Sequence, residues 1–150
     1  MTEQGAIRAA VLTSTAPRHR YFLQAMSGAF DIVAGLTQPK RAYYDAQREN
    51  SAAVRTHFSM LAEAERAEFA PRLAPGGPEM RAVTDINDPA LVAEFENSGA
   101  EAIFLFGTEI LAPCWLEAFP ERIVNLHLGL SPYYRGSATL FWPAANGEIE

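Results

Sequence analysis

The sequence predicts an α/β fold built on a doubly wound, mostly parallel sheet with strand order 3-2-1-4-5. Three observations carry this. Strand-like and helix-like segments alternate along the 150 residues. Ala102-Ile-Phe-Leu-Phe106 is an uninterrupted apolar run, as expected of a central parallel strand covered on both faces. Asp88-Pro89 marks a helix start between strands, with Asp as N-cap and Pro at the first helical position.

In chain order, Ala6–Leu12 is a short apolar run that reads as the first strand. Leu23, Met26 and Phe30 have helical spacing and predict a helix over about Arg18–Ala29. Asp31–Leu36 follows as strand two, ended by Gln38-Pro39-Lys40. A long helical region comes next. Val54, Phe58, Leu61 and Phe69 supply its apolar stripe, and Glu63, Glu65, Arg66 and Glu68 its solvated face. Pro71 and Ala74-Pro-Gly-Gly-Pro78 break it. Met80–Thr84 is a weak third strand. In the helix after Asp88, Leu91, Val92 and Phe95 face inward and Gly99 ends it. The Ala102–Phe106 strand, a short Pro113–Phe119 helix, a buried strand through Ile123–Leu128 and an Ala138–Ala145 helix complete the chain.

This length suits one domain with a real core, and 49% of the residues are hydrophobic, spread in short runs. The formal net charge of −6 argues against general binding to nucleic acid or membrane surfaces. No long apolar span or signal-peptide pattern is present, and a cytoplasmic setting is expected. The single cysteine, Cys114, sits beside Trp115 and Leu116 and reads as a packing residue.

The chemistry concentrates at Arg122-Ile-Val-Asn-Leu-His-Leu-Gly-Leu-Ser-Pro-Tyr-Tyr-Arg-Gly136. Asn125 and His127 lie two apart on a strand, so they project from one face. An amide donor can hydrogen-bond a developing oxyanion, and an imidazole can donate or accept a proton. Gly129, Pro132 and Gly136 then turn the chain into a loop, and ligands of open α/β sheets sit beyond strand carboxyl ends. On spacing alone, Asn-x-His in an apolar run is more often a satisfied buried polar pair.

The run through Tyr133-Tyr134-Arg135-Gly136, then Phe141-Trp142-Pro143 and Asn146-Gly147-Glu148, closely resembles the formyltransferase family. The family includes methionyl-tRNA, glycinamide ribonucleotide and amino-sugar formyltransferases. The resemblance is specific over roughly residues 100–150 and diffuse before it. It implies a Rossmann-like catalytic domain that transfers a formyl group from 10-formyltetrahydrofolate to an amine. It carries over Asn125 and His127 as catalytic residues. It makes Gly107, Thr108, Glu109, Ile110 and Leu111 the loop over the pterin ring, with Ile110 and Leu111 as apolar walls. No metal is implied.

Departures from the family qualify this. The turn Thr13-Ser-Thr-Ala-Pro-Arg-His-Arg20 has no glycine, which disfavours glycinamide ribonucleotide as acceptor. Arg18-His19-Arg20 reads as a solvated basic turn, with contact to an acidic substrate as the alternative. Tyr133, Tyr134 and Arg135 are candidates to shape the acceptor pocket. The family's third catalytic residue, an Asp beyond the Asn-Gly-Glu motif, has no counterpart here, so residues 1–150 are expected to be an incomplete catalytic domain, inactive alone. The acidic balance favours a small amine, such as an amino sugar, over tRNA. Deformylation, with water as acceptor, is a close variant. The competing class is a non-catalytic folate-binding or interaction module derived from the family. A last strand with one neighbour also predicts self-association.

Overall fold

The computed structural model describes residues 5–39, 52–129, 132–134 and 141–148. Its elements alternate as the patterning requires: β1 (Arg8–Thr13), α1 (Pro17–Ser27), β2 (Asp31–Thr37), α2 (Ala52–Phe69), β3 (Arg81–Ala82), α3 (Pro89–Asn97), β4 (Ala102–Phe106), α4 (Pro113–Ala118), β5 (Ile123–Asn125) and α5 (Phe141–Asn146). The strands form one five-stranded sheet in the order β3-β2-β1-β4-β5, every pair parallel. The predicted order and the parallel sheet are both observed.

β1 is central, and Ala9, Ala10, Val11 and Leu12 are each 0% exposed. That follows from its place: strands flank both its edges, and apolar side chains cover both its faces. One extra residue, Val33, bulges between the Ala9↔Ile32 and Ala10↔Ala34 pairs. On one face Leu12, Leu36, Ile86, Leu91, Phe95, Ile103, Leu105, Trp115 and Phe119 form the core. Phe95 meets Trp115 edge-on at 5.3 Å, and the buried Trp115 Nε1 donates to Ile86 O at 3.0 Å. That bond satisfies the one polar atom that burying an indole would otherwise strand. Other rings pair away from this cluster, Phe30 with Phe104 at 4.7 Å and Phe22 with Phe106 at 5.3 Å.

Helix α3 obeys its sequence signals closely. Asp88 Oδ1 accepts from Ala90 N at 2.9 Å, and Pro89 occupies the first turn. Leu91, Val92 and Phe95 are buried. Past its end Gly99 takes φ +72°, and the Arg8 guanidinium closes over it, donating to Ser98 O at 2.6 Å.

Several expectations are corrected. β5 is three residues long, not a buried strand through Leu128. Ile123 is half-buried, but Val124, Leu126 and Leu128 are 52, 46 and 55% exposed. The reason is position: β5 pairs only with β4 among the described residues, so an apolar run there lacks the second layer that would cover it. Glu65 does not belong to a solvated face. Its side chain is 9% exposed and its carboxylate takes both Arg18 N, at 3.1 Å, and the Arg18 guanidinium. Leu61, expected in the apolar stripe, is exposed. Phe69 does pack, 5.5 Å from Tyr21, while the side chains of Val54 and Phe58 lie outside the described set. β3 shrinks to Arg81–Ala82. The last helix is Phe141–Asn146, and residues 138–140 of its expected span lie outside the described residues. Cys114 is half-buried against the core, as a packing residue should be.

Candidate functional site

Because all strands run parallel, their carboxyl ends share one edge of the sheet. Thr13 ends β1, Thr37 ends β2, Phe106 ends β4 and Asn125 ends β5. Hydrogen bonds between residues distant in sequence tie these ends together. Thr13 Oγ1 donates to Phe106 O at 2.8 Å in a buried position. Gln38, 3% exposed, donates its backbone N–H to Thr13 O at 2.9 Å. Its Nε2 donates to Thr84 O and to Glu109 Oε2, each at 3.2 Å.

The Gly107–Leu111 segment leaves β4 at this edge. Gly107 adopts φ +76°, and a Cβ there would lie 2.5 Å from His19 Nε2. Both facts demand glycine: one is backbone strain, the other lack of room. His19 itself is fully buried and meets Phe106 edge-on at 4.9 Å. Beyond Gly107, Thr108 and Glu109 are half-buried. The two apolar residues then part. Leu111 packs onto the core, whereas Ile110 is 92% exposed. Of the two expected walls, only Ile110 is presented outward.

Asn125 and His127 lie on the neighbouring strand end. Asn125 is in register with Leu105, two residues before Gly107, and Leu126 N donates to Leu105 O at 2.9 Å. His127 is therefore level with the start of the Gly107 loop on the adjacent chain segment. The expected pair is formed: Asn125 Nδ2 lies 3.2 Å from His127 Nε2. Asn125 is exposed and His127 half-buried. An amide free to face solvent and an imidazole backed by protein suit a surface that meets an external carbonyl.

Two sequence motifs that looked separate are joined. Tyr134 donates its hydroxyl to Glu148 Oε2, and Asn146 Nδ2 donates to Tyr134 Oη at 3.2 Å. Glu148 N in turn donates to Pro143 O at 2.8 Å. The Glu148 bond raises the Tyr134 phenol above its ordinary value, partly offset by Asn146. Tyr134 thus ties its loop to the end of α5. Tyr133 is 80% exposed, and Arg135 lies outside the described residues.

The basic turn is corrected. Arg18 is engaged by Glu65 and His19 is buried, so only Arg20 is exposed. An ionic bond to α2 and ring packing on Phe106 outcompete solvation here. The geometry offers no basic turn for an acidic substrate at 18–19.

Two open grooves, about 410 and 460 Å³, lie elsewhere, lined by β2, β3 and α3 residues such as Gly35, Arg81 and Glu94. No candidate residue lines either, and the placement of Asn125, His127 and the Gly107 loop at one sheet edge is the better guide to chemistry. Among the described residues no three His, Cys, Asp or Glu side chains converge as a metal site. No helix among them is long and apolar enough to cross a membrane.

Sequence reasoning missed Asn87 and Gln38. Asn87 Nδ2 donates to Ile110 O at 3.1 Å, and its Oδ1 accepts from Ala112 N at 2.7 Å. The only available signal was an Asn directly before a helix cap, which is a common turn residue.

Comparison with known proteins finds sequence relatives over part of the chain and solved structures of the same fold. A methionyl-tRNA formyltransferase from Heliobacterium modesticaldum is 40% identical over 65 residues, 42% of this chain and 20% of that protein. Glycinamide ribonucleotide transformylase 1 from Symbiobacterium toebii superposes with a TM-score of 0.59 at 18% identity, over 98% of this chain and 64% of that structure. A formyltetrahydrofolate deformylase from Pseudomonas syringae pv. tomato gives 0.53 at 14% identity, over 96% and 43%. The chain therefore spans less than two thirds of these proteins. No family model matches it.

Proposed function

We propose, from the premise that the chain is a relative of the formyltransferase family, that it carries the donor-side machinery for moving a formyl group from 10-formyltetrahydrofolate to an amine. The observation that carries this reading is the bonded Asn125–His127 pair on β5, level with the Gly107–Leu111 loop of β4. In the proposed reaction the acceptor nitrogen attacks the formyl carbon, and negative charge gathers on the formyl oxygen. Asn125 Nδ2 donates to that oxygen. The tetrahedral intermediate collapses by breaking the bond from carbon to the folate nitrogen. His127 relays the proton lost by the acceptor amine toward that nitrogen. Gly107, Thr108, Glu109, Ile110 and Leu111 hold the pterin, backbone groups meeting the ring edge and Ile110 its face.

The acceptor proposed is a small amine such as an amino sugar, in keeping with the net charge of −6. Relatives named for methionyl-tRNA and for glycinamide ribonucleotide, and a deformylase, define the competing acceptors. The test is a formyl-transfer assay on a complete catalytic domain containing these residues, with a panel of acceptors: a nucleotide-linked amino sugar, glycinamide ribonucleotide, methionyl-tRNA and water. Transfer to the amino sugar, lost in His127→Ala, is expected. Folate binding without transfer to any acceptor would instead favour a non-catalytic binding module.

A further inference from the structure

We infer that Asn87 is the positioning residue of the donor loop, setting the presentation of Ile110 without touching the ligand itself. The inference rests on the folate reading just given and adds the residue that fixes its geometry.

Asn87 sits between β3 and α3, outside every segment with assigned chemistry. Its side-chain amide behaves as a strand neighbour would. Nδ2 donates to Ile110 O at 3.1 Å while Oδ1 accepts from Ala112 N at 2.7 Å. One planar group thus bridges a carbonyl and an N–H two residues apart. That satisfies the loop's backbone and fixes the peptide orientations on either side of Leu111. The side chain is itself held at its base. Asn87 N donates to Asp85 Oδ1 at 2.9 Å, Ile86 is 0% exposed, and Ile86 O accepts from the buried Trp115 Nε1. The three consecutive residues 85–87 are therefore a peg driven into the core, and Asn87 is its head.

The peg explains why Ile110 is 92% exposed. An unrestrained loop would be expected to turn an isoleucine toward the nearby core, because burying it is favourable. Here Leu111 fills that place and the Asn87 bonds lock the backbone between them, so Ile110 is held out. A rigidly presented apolar side chain at a strand's carboxyl end lowers the ordering cost of binding a flat apolar ring.

The experiment compares the unmodified chain with Asn87→Ala, Asn87→Asp and, as a control for general weakening, Arg8→Ala, which breaks the bond to Ser98 O at the opposite end of the sheet. Tetrahydrofolate is the probe, read by equilibrium binding, alongside amide exchange at Ala112. Asn87→Ala is expected to speed Ala112 exchange and weaken tetrahydrofolate binding about tenfold or more, as expected for two lost bonds. Asn87→Asp keeps the acceptor for Ala112 N but loses the donor to Ile110 O, so it should fall between. Arg8→Ala should leave affinity unchanged. In a turnover assay of a complete catalytic domain, Asn87→Ala should raise donor KM with kcat little altered. Tetrahydrofolate binding at full strength in Asn87→Ala overturns the inference while leaving the folate reading standing. An equal loss in Arg8→Ala also overturns it, by showing that stability alone is read out. Failure of the unmodified chain to bind tetrahydrofolate removes the folate reading and this inference together.

Discussion

Asn125 and His127 are hydrogen-bonded to one another, amide Nδ2 to imidazole Nε2 at 3.2 Å. Which of the two donates follows from the imidazole tautomer, and either arrangement holds amide and ring at hydrogen-bond distance. Each group thereby orients the other before any ligand arrives. Replacing either should then act on turnover more than on donor affinity, because their bonds matter chiefly in the transition state. Asn125→Ala is expected to cost about 2.7–4 kcal/mol of transition-state stabilisation. His127→Ala should lower kcat by about 10²–10⁴-fold. Steady-state kinetics on a complete catalytic domain carrying these residues decides this, and unchanged turnover in His127→Ala would sink the role.

Gly107→Ala should destabilise the fold by roughly 2–4 kcal/mol, from a left-handed backbone and a clash with His19. Urea titration measures it. If the His19 contact matters, Gly107→Ala combined with His19→Ala should be less harmful than the two single losses summed. Strict additivity would show that the backbone alone is responsible.

Arg18–Glu65 and Arg72–Glu68 form a natural comparison. The Glu65 side chain is 9% exposed and also accepts a backbone N–H; that of Glu68 is 59% exposed. Glu65→Ala is expected to cost about 1–2 kcal/mol, and Glu68→Ala under about 0.5 kcal/mol. Equal losses in denaturant melts would contradict the assignment of Glu65 as the tie between α1 and α2.

Tyr134 should be a late-titrating tyrosine. Its bond to Glu148 raises its pKa above the ordinary 10.0. A raised value means the protonated form is favoured in the fold, so the tie is complete below pH 10.0 and is lost as pH rises through the raised value. Ultraviolet difference titration of the chain against Tyr134→Phe isolates this group. A midpoint at or below the ordinary value would refute it.

The outer face of β5 predicts association. Val124, Leu126 and Leu128 are exposed beside a strand edge with no further strand among the described residues. Concentration-dependent light scattering is expected, reduced in Val124→Lys. A monodisperse monomer at every concentration would count against it.

The fold was legible because its signals are local and periodic. Ala102–Phe106 is apolar throughout because it lies in the middle of a parallel sheet, and Asp88-Pro89 caps a helix by its own chemistry. The Asn125–His127 pair was legible for the same reason, since two residues on one short segment fix their own spacing. What escaped depends on partners distant in sequence. No helical period distinguishes Glu65 from Glu68; only the approach of α1 does. Asn87 looked like any turn residue because its partners lie 23 and 25 positions away. The apolar run Ile123–Leu128 implied burial, but hydrophobicity alone does not say whether a second layer exists to provide it.

The central place of β1 also governs how the molecule comes together in time. β1 is joined to β4 by bonds between residues about ninety positions apart, Arg8 N with Glu101 and Thr13 with Phe106, both at a separation of 93. By contrast, the segment bearing Asn87, the Gly107 loop and the Asn125–His127 pair is contiguous, and the bonds that tie Ile86 and Asn87 to the rest of it span 23 to 29 positions rather than 93. Closing a long loop is slow relative to forming local structure, because its entropy must be lost before the contacts are gained. The segment from Asp85 to His127 can therefore organise early, yet it acquires its seat only when β4 docks on β1. Changes at Arg8, at the amino end of β1 and remote from any chemistry, should slow the appearance of binding competence during refolding more than they weaken the finished site.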